Sequence, residues 1–294
     1  DAGINGLGGS LDPEDYDYNL GVTFTRPGVF NPDTNFITSL IGQRVNYDTY
    51  RERSVTASAG FSRQFGAELT GSAFVEASRA RYDDDFGIRH FTTLGIIGAA
   101  AYDRRDDPFD AHRGYYLALT AQPFYEFEYG NPAARGTLEG RVYKSFGQED
   151  HVVLAGRALV GSYVGPDIAE SPPDLLFFAG GGGSVRGYAY QSIGIETLTP
   201  EGEEVVSGGK GLFEASGEVR YRINDSFGAV GFVDTGFVAE NSSLSGESDL
   251  RTGVGLGVRY YTGIGILRAD VATPIDPRDD DDYVALYIGI GQAF

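Results

Sequence analysis

The chain contains no cysteine, methionine or tryptophan and only three histidines among its 294 residues. Without cysteine it can form neither a disulfide framework nor a thiolate metal site, which suits an oxidising compartment. The histidines, His90, His112 and His151, lie on separate segments without metal-ligand spacing. A G-x-S-x-G elbow is absent, and no serine and histidine can be paired with an orienting acid. We therefore predict no catalytic residue, no metal, no cofactor and no enzymatic activity.

Positive charge and long apolar runs are also scarce. The chain has 23 basic against 42 acidic residues, a net charge of −19, which argues against nucleic acid as a partner. Its longest apolar stretch, Leu94 to Tyr102, is far shorter than the roughly 20 residues of a membrane helix. A helical membrane protein is excluded, whereas a barrel is not, because barrel strands need only about 10 residues with one apolar face. The chain starts at Asp1 without a signal peptide, so we expect a mature or trimmed segment.

Alternation of apolar and polar residues with a period of two runs from end to end. The cleanest case is 251–262, where Val254, Leu256 and Val258 alternate with glycines and Arg259. Such a strand has one apolar face, which fits a soluble sandwich as well as a barrel whose polar face lines a wet lumen. The predicted strands are 18–26, 36–46, 55–63, 67–81, 91–102, 117–129, 137–146, 151–164, 211–223, 227–238, 251–262, 264–275 and 283–294, with 4–11 as the remnant of another.

The lengths of the predicted connections separate these alternatives. Short turns at 66, 147–150, 224–226 and 262–263 alternate with longer loops at 82–90, 129–136, 165–210, 239–250 and 276–282. Long loops on one rim and short turns on the other are typical of outer-membrane barrels. We therefore predict an all-β fold, an antiparallel transmembrane β-barrel.

The segment PPDLLFFAGGGGSVRGYAY, residues 172–190, interrupts the strands with four consecutive glycines followed by Arg186. A flexible linker and a phosphate-binding loop are the alternatives, but a phosphate loop should open a helix and no helical period follows. We favour a structured loop inside the barrel. An arginine in the lumen needs inward carboxylates, and Glu218 and Asp234 are the nearest candidates in sequence. Such a pair would either pin a plug or take part in gating.

These motifs resemble the barrel of the outer-membrane protein assembly superfamily, which includes BamA, TamA and the two-partner secretion transporters. The resemblance is strongest from Ala101 to Phe294, and the approach PPDLLFFAGG is most similar to the TamA branch. The residues that carry it are Val185-Arg186-Gly187-Tyr188, Glu218-Val219-Arg220, Phe232 to Gly236, Gly253 to Tyr260 and Gly289 to Phe294.

The resemblance implies a family barrel of about 16 strands, of which about 13 or 14 are seen here, with the glycine-rich loop folded into the lumen. Residues 1–294 would form the outer-membrane β-barrel domain, without its first strands and without the amino-terminal POTRA domains. The implied site residues are Gly180, Gly181, Gly182, Gly183, Val185, Arg186, Gly187 and Tyr188 in the lumen loop, Glu218 and Asp234 as partners of the arginine, and Tyr287, Gly289, Gly291 and Phe294 in the carboxy-terminal signal and seam strand.

The implied function is insertion or translocation of β-barrel and autotransporter proteins through a lateral seam in a Gram-negative outer membrane. The implied partners are outer-membrane lipids, unfolded clients and a periplasm-spanning protein such as TamB that docks on the POTRA domains. The alternatives are a two-partner-type secretion pore and a BamA-like general insertase. A passive porin is disfavoured because it would not need the arginine loop.

Overall fold

A computed structural model of the protein describes residues 2–5, 16–147, 150–199, 202–246, 248–278 and 281–294. It is an antiparallel β-barrel whose fourteen strands follow one another in chain order, and two further short strands form a separate hairpin. In chain order the strands are β1 (Ala2–Asn5), β2 (Asp17–Arg26), β3 (Thr34–Asn46), β4 (Tyr50–Phe65), β5 (Leu69–Asp84), β6 (Gly87–Asp103), β7 (Gly114–Glu126), β8 (Asn131–Phe146), β9 (Val152–Val164), β10 (Ile195–Leu198), β11 (Glu204–Ser207), β12 (Gly211–Arg222), β13 (Phe227–Ala239), β14 (Arg251–Thr262), β15 (Gly265–Pro274) and β16 (Ala285–Ile290). The hairpin consists of β10 and β11.

The period-two alternation sorts side chains between the two faces of the sheet. On β14, Leu256 is 73% exposed on the outer face, whereas Arg259 is fully buried on the inner face. The same contrast separates Val233 from Asp234 on β13. An apolar exterior around a polar interior is the inverse of a soluble protein, and it is the arrangement of a barrel in lipid. The predicted fold class is therefore confirmed.

The structure describes two single 3₁₀ turns in full, Ile168–Glu170 and Pro173–Leu175. Nowhere in the described ranges is there a helix of the length and apolar character needed to cross a membrane.

Two of the predicted loops are wrong. Strand β5 extends to Asp84 and β6 begins at Gly87, so the predicted loop 82–90 contains only a two-residue turn between two strands. Strand β8 begins at Asn131, inside the predicted loop 129–136. The alternation of inward and outward residues continues into the extension of β5. There Tyr82 points inward and packs against Phe91 in a cluster that also includes Phe178. The strands therefore extend beyond the length that the apolar pattern alone predicts.

The longest connection fixes which rim faces outward. Residues 165–210, 240–250 and 275–284 all leave from the same rim, and long loops mark the outer rim of such barrels. The opposite rim has mostly short connections, such as 223–226 and 263–264, although 104–113 is also long. The rim with mostly short connections is therefore the periplasmic rim, and β16 ends toward it.

The sheet begins with β1 and ends with β16. Among the described residues each of them pairs with a single neighbour, β1 with β2 and β16 with β15. The last strand is shorter than the predicted 283–294, because β16 ends at Ile290 and the backbone turns at Gly291, where φ is +92°. Of the predicted remnant 4–11, residues 4 and 5 belong to β1 and residues 6–11 lie outside the described part of the chain.

Candidate functional site in the lumen

The connection between β9 and β12 folds back into the lumen within its described residues 165–199 and packs there in an apolar cluster. Loop residues contribute Phe177, Val185 and Tyr188, and the wall contributes Phe124 from β7 and Tyr163 from β9. Each fully buried side chain of this kind contributes about 1.5–3 kcal/mol. The cluster holds the loop against the wall, which confirms the prediction of a glycine-rich loop inside the barrel.

Polar contacts fasten the approach of the loop to three strands of the barrel wall, β5, β6 and β8. The Tyr82 hydroxyl donates to Asp174 Oδ1 at 2.5 Å, and Arg135 Nε donates to the Leu175 carbonyl at 3.1 Å. Arg89 Nη1 donates to the Ala169 carbonyl at 2.7 Å. These contacts tie β5, β6 and β8 to the loop, next to the β7 and β9 strands on which its apolar residues pack.

The four-glycine segment is a compact turn. Gly180 and Gly181 have φ angles of +102° and +99°, which side chains with a Cβ rarely adopt. The turn closes through hydrogen bonds from the Ser184 amide to the Gly181 carbonyl and from the Gly181 amide to the Tyr188 carbonyl, both 3.1 Å. Gly182 packs on a ring, since a Cβ there would lie 2.8 Å from Tyr287 Cδ1. These contacts exclude a flexible linker.

Arg186 extends from this turn into a buried cluster of carboxylates. Its Nε and Nη2 donate to the two carboxylate oxygens of Asp234, at 2.6 and 3.0 Å. Nη2 also lies 2.9 Å from Glu218 Oε1, and Nη1 lies 3.3 Å from Asp270 Oδ2. The guanidinium stacks on Phe232, with its central carbon 3.4 Å from the ring centroid. Three strands, β12, β13 and β15, thus converge on one side chain of the loop.

Two further arginines balance the charge. Arg220 Nε donates to Glu218 Oε2 at 2.9 Å, and Arg259 Nη1 pairs with Asp270 Oδ1. The cluster therefore contains three guanidinium groups and three carboxylates, all nearly inaccessible to solvent. Burial of unpaired charge would cost several kcal/mol, so each member depends on the others. We refer to Arg186, Arg220, Arg259, Glu218, Asp234 and Asp270 as the electrostatic lock, because together they hold the loop in place.

The lock extends to the carboxy-terminal residues. Arg220 Nη2 donates to the carbonyl of Phe294 at 3.0 Å, and Arg259 Nε donates to Gln292 Oε1 at 3.0 Å. The aromatic ring of Phe294 also lies near Tyr143 of β8, with centroids 6.5 Å apart. The end of the chain is thereby folded across the inner wall next to the cluster.

Tyr287 on β16 makes the second connection between loop and barrel. Its hydroxyl accepts from the Gly187 amide at 3.0 Å and donates to the Tyr188 carbonyl at 3.1 Å. Gly187 has a φ of +105° and lies against the backbone of β15, where a Cβ would be 3.0 Å from Pro274 N. The loop motif is therefore hydrogen-bonded directly to the last strand.

Glycines on the inner face of β14 make room for the loop. A Cβ at Gly253 would lie 1.8 Å from the Arg186 carbonyl oxygen, and one at Gly257 would lie 1.9 Å from Asp270 Oδ1. A Cβ at Gly255 would lie 2.3 Å from Phe232 Cζ. The alternation predicts that these glycines point inward. Only the contacts show that they leave space for the Arg186 backbone and for the two side chains that contact Arg186, Phe232 and Asp270.

The structure brings most of the sequence-predicted site residues together. Glu218 and Asp234 pair with Arg186, and Tyr287 contacts Gly182, Gly187 and Tyr188 of the lumen loop. Gly180 and Gly181 form the turn before Arg186, and Gly183 is exposed there with no neighbour within 4 Å of its Cβ position. Gly289 lies apart from this group, facing Arg268, and Gly291 lies at the end of β16. Sequence reasoning missed Asp270 and Phe232 as partners of the arginine. The alternation of Asp270 with Leu267, Ala269 and Val271 along β15 is the signal that could have found it.

The sequence of the chain matches the model of the Omp85 superfamily domain over residues 2–294. Its fold is similar to that of BamA from Haemophilus ducreyi lacking POTRA domains 1–3, with a TM-score of 0.77 at 15% identity over 92% of this chain and 61% of that one. It is also similar to CdiB from Acinetobacter baumannii, with a TM-score of 0.61 at 16% identity, covering 96% of this chain and 52% of that one. For CdiB from Escherichia coli the TM-score is 0.59 at 12% identity, and the coverage is 95% of this chain and 53% of that one.

The chain thus spans between about half and three fifths of the solved proteins that share its fold. The family match confirms the predicted superfamily, the similarity to BamA and CdiB shows the shared fold, and neither singles out the TamA branch. From the family match and the inside-out barrel we conclude that the chain belongs to the Omp85 superfamily and is an integral β-barrel of a Gram-negative outer membrane.

Proposed function

We propose that this chain is the barrel of a non-enzymatic assembly factor that helps to insert or translocate β-barrel and autotransporter clients through a seam beside its last strand. One observation carries the proposal. The strand that ends the sheet, β16, is short, pairs with β15 alone among the described residues, and is hydrogen-bonded to the lumen loop through Tyr287.

The backbone of β16 offers hydrogen-bonding groups to an incoming strand. The Gly291 amide donates to the Ile266 carbonyl at 2.6 Å. In an antiparallel pair every second residue bonds to the same neighbour, so every second residue of β16, counted back from Gly291, is hydrogen-bonded to β15. By this alternation the amides of Leu286, Ile288 and Ile290 point away from β15. An extended client segment could add to such an edge by main-chain hydrogen bonds.

The filled lumen favours this role over a passive pore. The loop buries Phe177, Val185 and Tyr188 against the wall, and the Arg186 lock closes the space beside β12 to β15. A porin requires an open aqueous channel. A seam at the side of the barrel allows insertion without opening the lumen.

A two-partner-type secretion pore is the second candidate, and the fold similarity to two CdiB proteins favours it. In that case the loop must leave the lumen to let an extended client pass. A BamA-like general insertase would share the seam and differ in the range of clients. The TamA-type preference for autotransporters and a TamB-like partner docked on POTRA domains belong to this proposal as well.

The first experiment measures folding and conductance together. The full-length protein is reconstituted in liposomes, an unfolded client barrel is added, and its folding rate is compared with ion conductance through the same vesicles. Faster client folding with little steady conductance is the expected result. Large steady conductance without any help to folding would refute the assembly role and leave a pore.

The edge of β16 is tested by Ile288→Pro, which removes one outward-pointing amide and none that bonds β15. Ile288→Ala, which keeps the amide, is the matched control. We expect client folding to slow in the proline variant alone, while the barrel keeps its heat-dependent gel mobility. Equal client folding by both variants would contradict a templating edge.

A cross-link separates the assembly role from secretion. The chain has no cysteine, so a Val185→Cys and Gly236→Cys pair can be introduced without background. A Cβ at Gly236 would lie 3.0 Å from Val185 Cγ2, close enough for a disulfide. If the loop stays in place during assembly, the oxidised pair supports client folding as well as either single variant does. Loss of activity on oxidation, restored by reduction, would favour the secretion pore.

A further inference from the structure

The outer face of strands β3 to β5 carries a cluster of five arginines in a chain whose net charge is −19. The ladder register places Arg44, Arg53 and Arg81 side by side across the three strands. Arg51 and Arg79 flank this row on β4 and β5. We refer to these five residues as the basic patch.

The basic patch faces away from the lumen. Arg51 and Arg53 alternate along β4 with Glu52 and Ser54, which are buried on the inner side. On β5, Arg79 and Arg81 share the face of Val75, which is 54% exposed, whereas Tyr82 is buried in the lumen cluster. The patch therefore lies on the surface that contacts the membrane.

Its height places it at the outer edge of the apolar belt. On β4 the outward residues from Val55 to Phe65 are Val55, Ala57, Ala59, Phe61, Arg63 and Phe65. Ten residues at about 3.3 Å each, tilted by about 40°, span roughly 25 Å, the thickness of the apolar band of such barrels. Arg53 lies immediately beyond Val55, on the side of the outer rim. The patch is thus level with the head groups of the outer leaflet.

Without a ligand this arrangement is unfavourable. Like charges directly opposite one another across an antiparallel ladder are destabilising, and Arg53 stands directly opposite Arg81. Arg51, Arg53, Arg79 and Arg81 form no ion pair with any carboxylate in the described part of the chain. Asp83, opposite Arg51, and the buried Glu52 line a cavity of about 310 Å³ with Arg44, Arg51, Arg53 and Arg81.

We propose that the basic patch binds the phosphate groups of an outer-leaflet glycolipid, the lipopolysaccharide of a Gram-negative outer membrane. Guanidinium groups bind phosphate bidentately, and an array of them matches a head group that carries more than one phosphate. The acyl chains would lie on the apolar strip below, along Val55, Ala57 and Val75. The site would anchor the β2 to β6 side of the barrel at a fixed height in the membrane.

The test measures lipid retained by the purified full-length protein. Native mass spectrometry compares lipopolysaccharide, the same lipid with its lipid A phosphates removed, phosphatidylglycerol and inorganic phosphate, all with chelator present to exclude bridging cations. The Arg53→Gln/Arg81→Gln variant is compared with Arg63→Gln, on the same outward face of β4 but at the periplasmic end.

We expect wild type and Arg63→Gln to retain phosphorylated lipopolysaccharide, and the double variant to bind it roughly tenfold or more weakly. Equal retention by the double variant, or equal retention of the dephosphorylated lipid, would overturn the proposal. Phosphatidylglycerol or inorganic phosphate competing as well as lipopolysaccharide would also overturn it, because the site would then bind anions without regard to the glycolipid.

A second measurement does not depend on the arginine variants. A photo-reactive residue at Ile88, next to Asp83 on the outward face, should cross-link to lipopolysaccharide in membranes. The same residue at Phe65, at the opposite edge of the apolar belt, should not. Equal cross-linking at both positions would contradict a site at the outer leaflet. Neither measurement involves client folding, so the result is independent of the proposed function.

Discussion

Arg186 of the lumen loop and Asp234 of β13 form a two-pronged ion pair, with Nε and Nη2 at 2.6 and 3.0 Å from the two carboxylate oxygens. The Arg186 amide also donates to Asp234 Oδ2 at 3.2 Å, so one carboxylate holds both the backbone and the side chain of the loop. Because 48 residues separate the pair in sequence, this contact closes the lumen only in the folded barrel.

Arg186→Ala should release the loop from the lumen. Removal of one partner of a buried ion pair costs about 3–5 kcal/mol, and here it leaves Asp234, Glu218 and Asp270 with too little positive charge. We expect limited proteolysis to cut within 165–210 while the barrel still folds. The control is Arg113→Ala, which removes an exposed ion pair with Asp150 at the rim. A loop as resistant to protease as in wild type would show that the lock is dispensable.

Tyr287→Phe should loosen the tie between the last strand and the loop. The variant removes the hydroxyl that joins the Gly187 amide and the Tyr188 carbonyl, and unsatisfied buried groups of this kind cost about 1–3 kcal/mol. Hydrogen exchange should increase at Gly187 and its neighbours. Tyr221→Phe, on the outer face of β12, is the matched control. If exchange rises equally in both variants, the effect does not come from this contact.

Gly253→Ala should displace the loop by steric conflict alone, since the new Cβ would lie 1.8 Å from the Arg186 carbonyl oxygen. Gly231→Ala is the control on the neighbouring strand, where the nearest atom, Leu256 Cδ2, is 3.7 Å away. We expect the Gly253 variant to expose the loop to protease and to lower the temperature at which the barrel unfolds on gels. Unchanged behaviour would mean that the backbone of β14 can shift to accommodate the methyl group.

The contact between Arg278 and Asp281 should weaken in acid. Burial alone would raise the pKa of Asp281, but hydrogen bonds and charge from Arg278 lower it below its ordinary 3.8. A lowered carboxyl pKa stabilises the folded state above the ordinary value, and this contribution is lost as the pH falls through the lowered value. Arg278 also donates to the Ser192 carbonyl at 3.1 Å, so the outer end of the lumen loop should become more protease-sensitive below about pH 4.

Asp281→Asn should remove this pH dependence of the outer loop between pH 3 and pH 6, because the remaining side chain does not titrate. Asp249→Asn, which breaks an exposed pair with Arg251 on the same rim, is the control and should keep the dependence. A pH response that survives in Asp281→Asn would assign it to another group.

Strand alternation and the alternating lengths of the connections were together enough to predict the barrel, and the glycine-rich segment was enough to predict a loop between β9 and β12 with Glu218 and Asp234 as inward candidates. Alternation is informative because side chains on a strand point to opposite faces in strict turn, whatever the partner strand. The same pattern underestimated β5, β6 and β8 at the outer rim. On β5 the outward residue Asp83 is charged and lies beyond the apolar belt, so no apolar stripe marks the end of that strand.

Alternation fixes the face of a residue but not its height against residues on other strands, and that height depends on the register of every intervening turn. Only the tertiary structure could therefore decide that Asp270 shares Arg186 with Asp234 and Glu218, or that Tyr287 reaches the Gly187 amide. The row of Arg44, Arg53 and Arg81 arises in the same way. The sequence determined which side chains face the lumen and which face lipid, and the register of the barrel decided which of them meet.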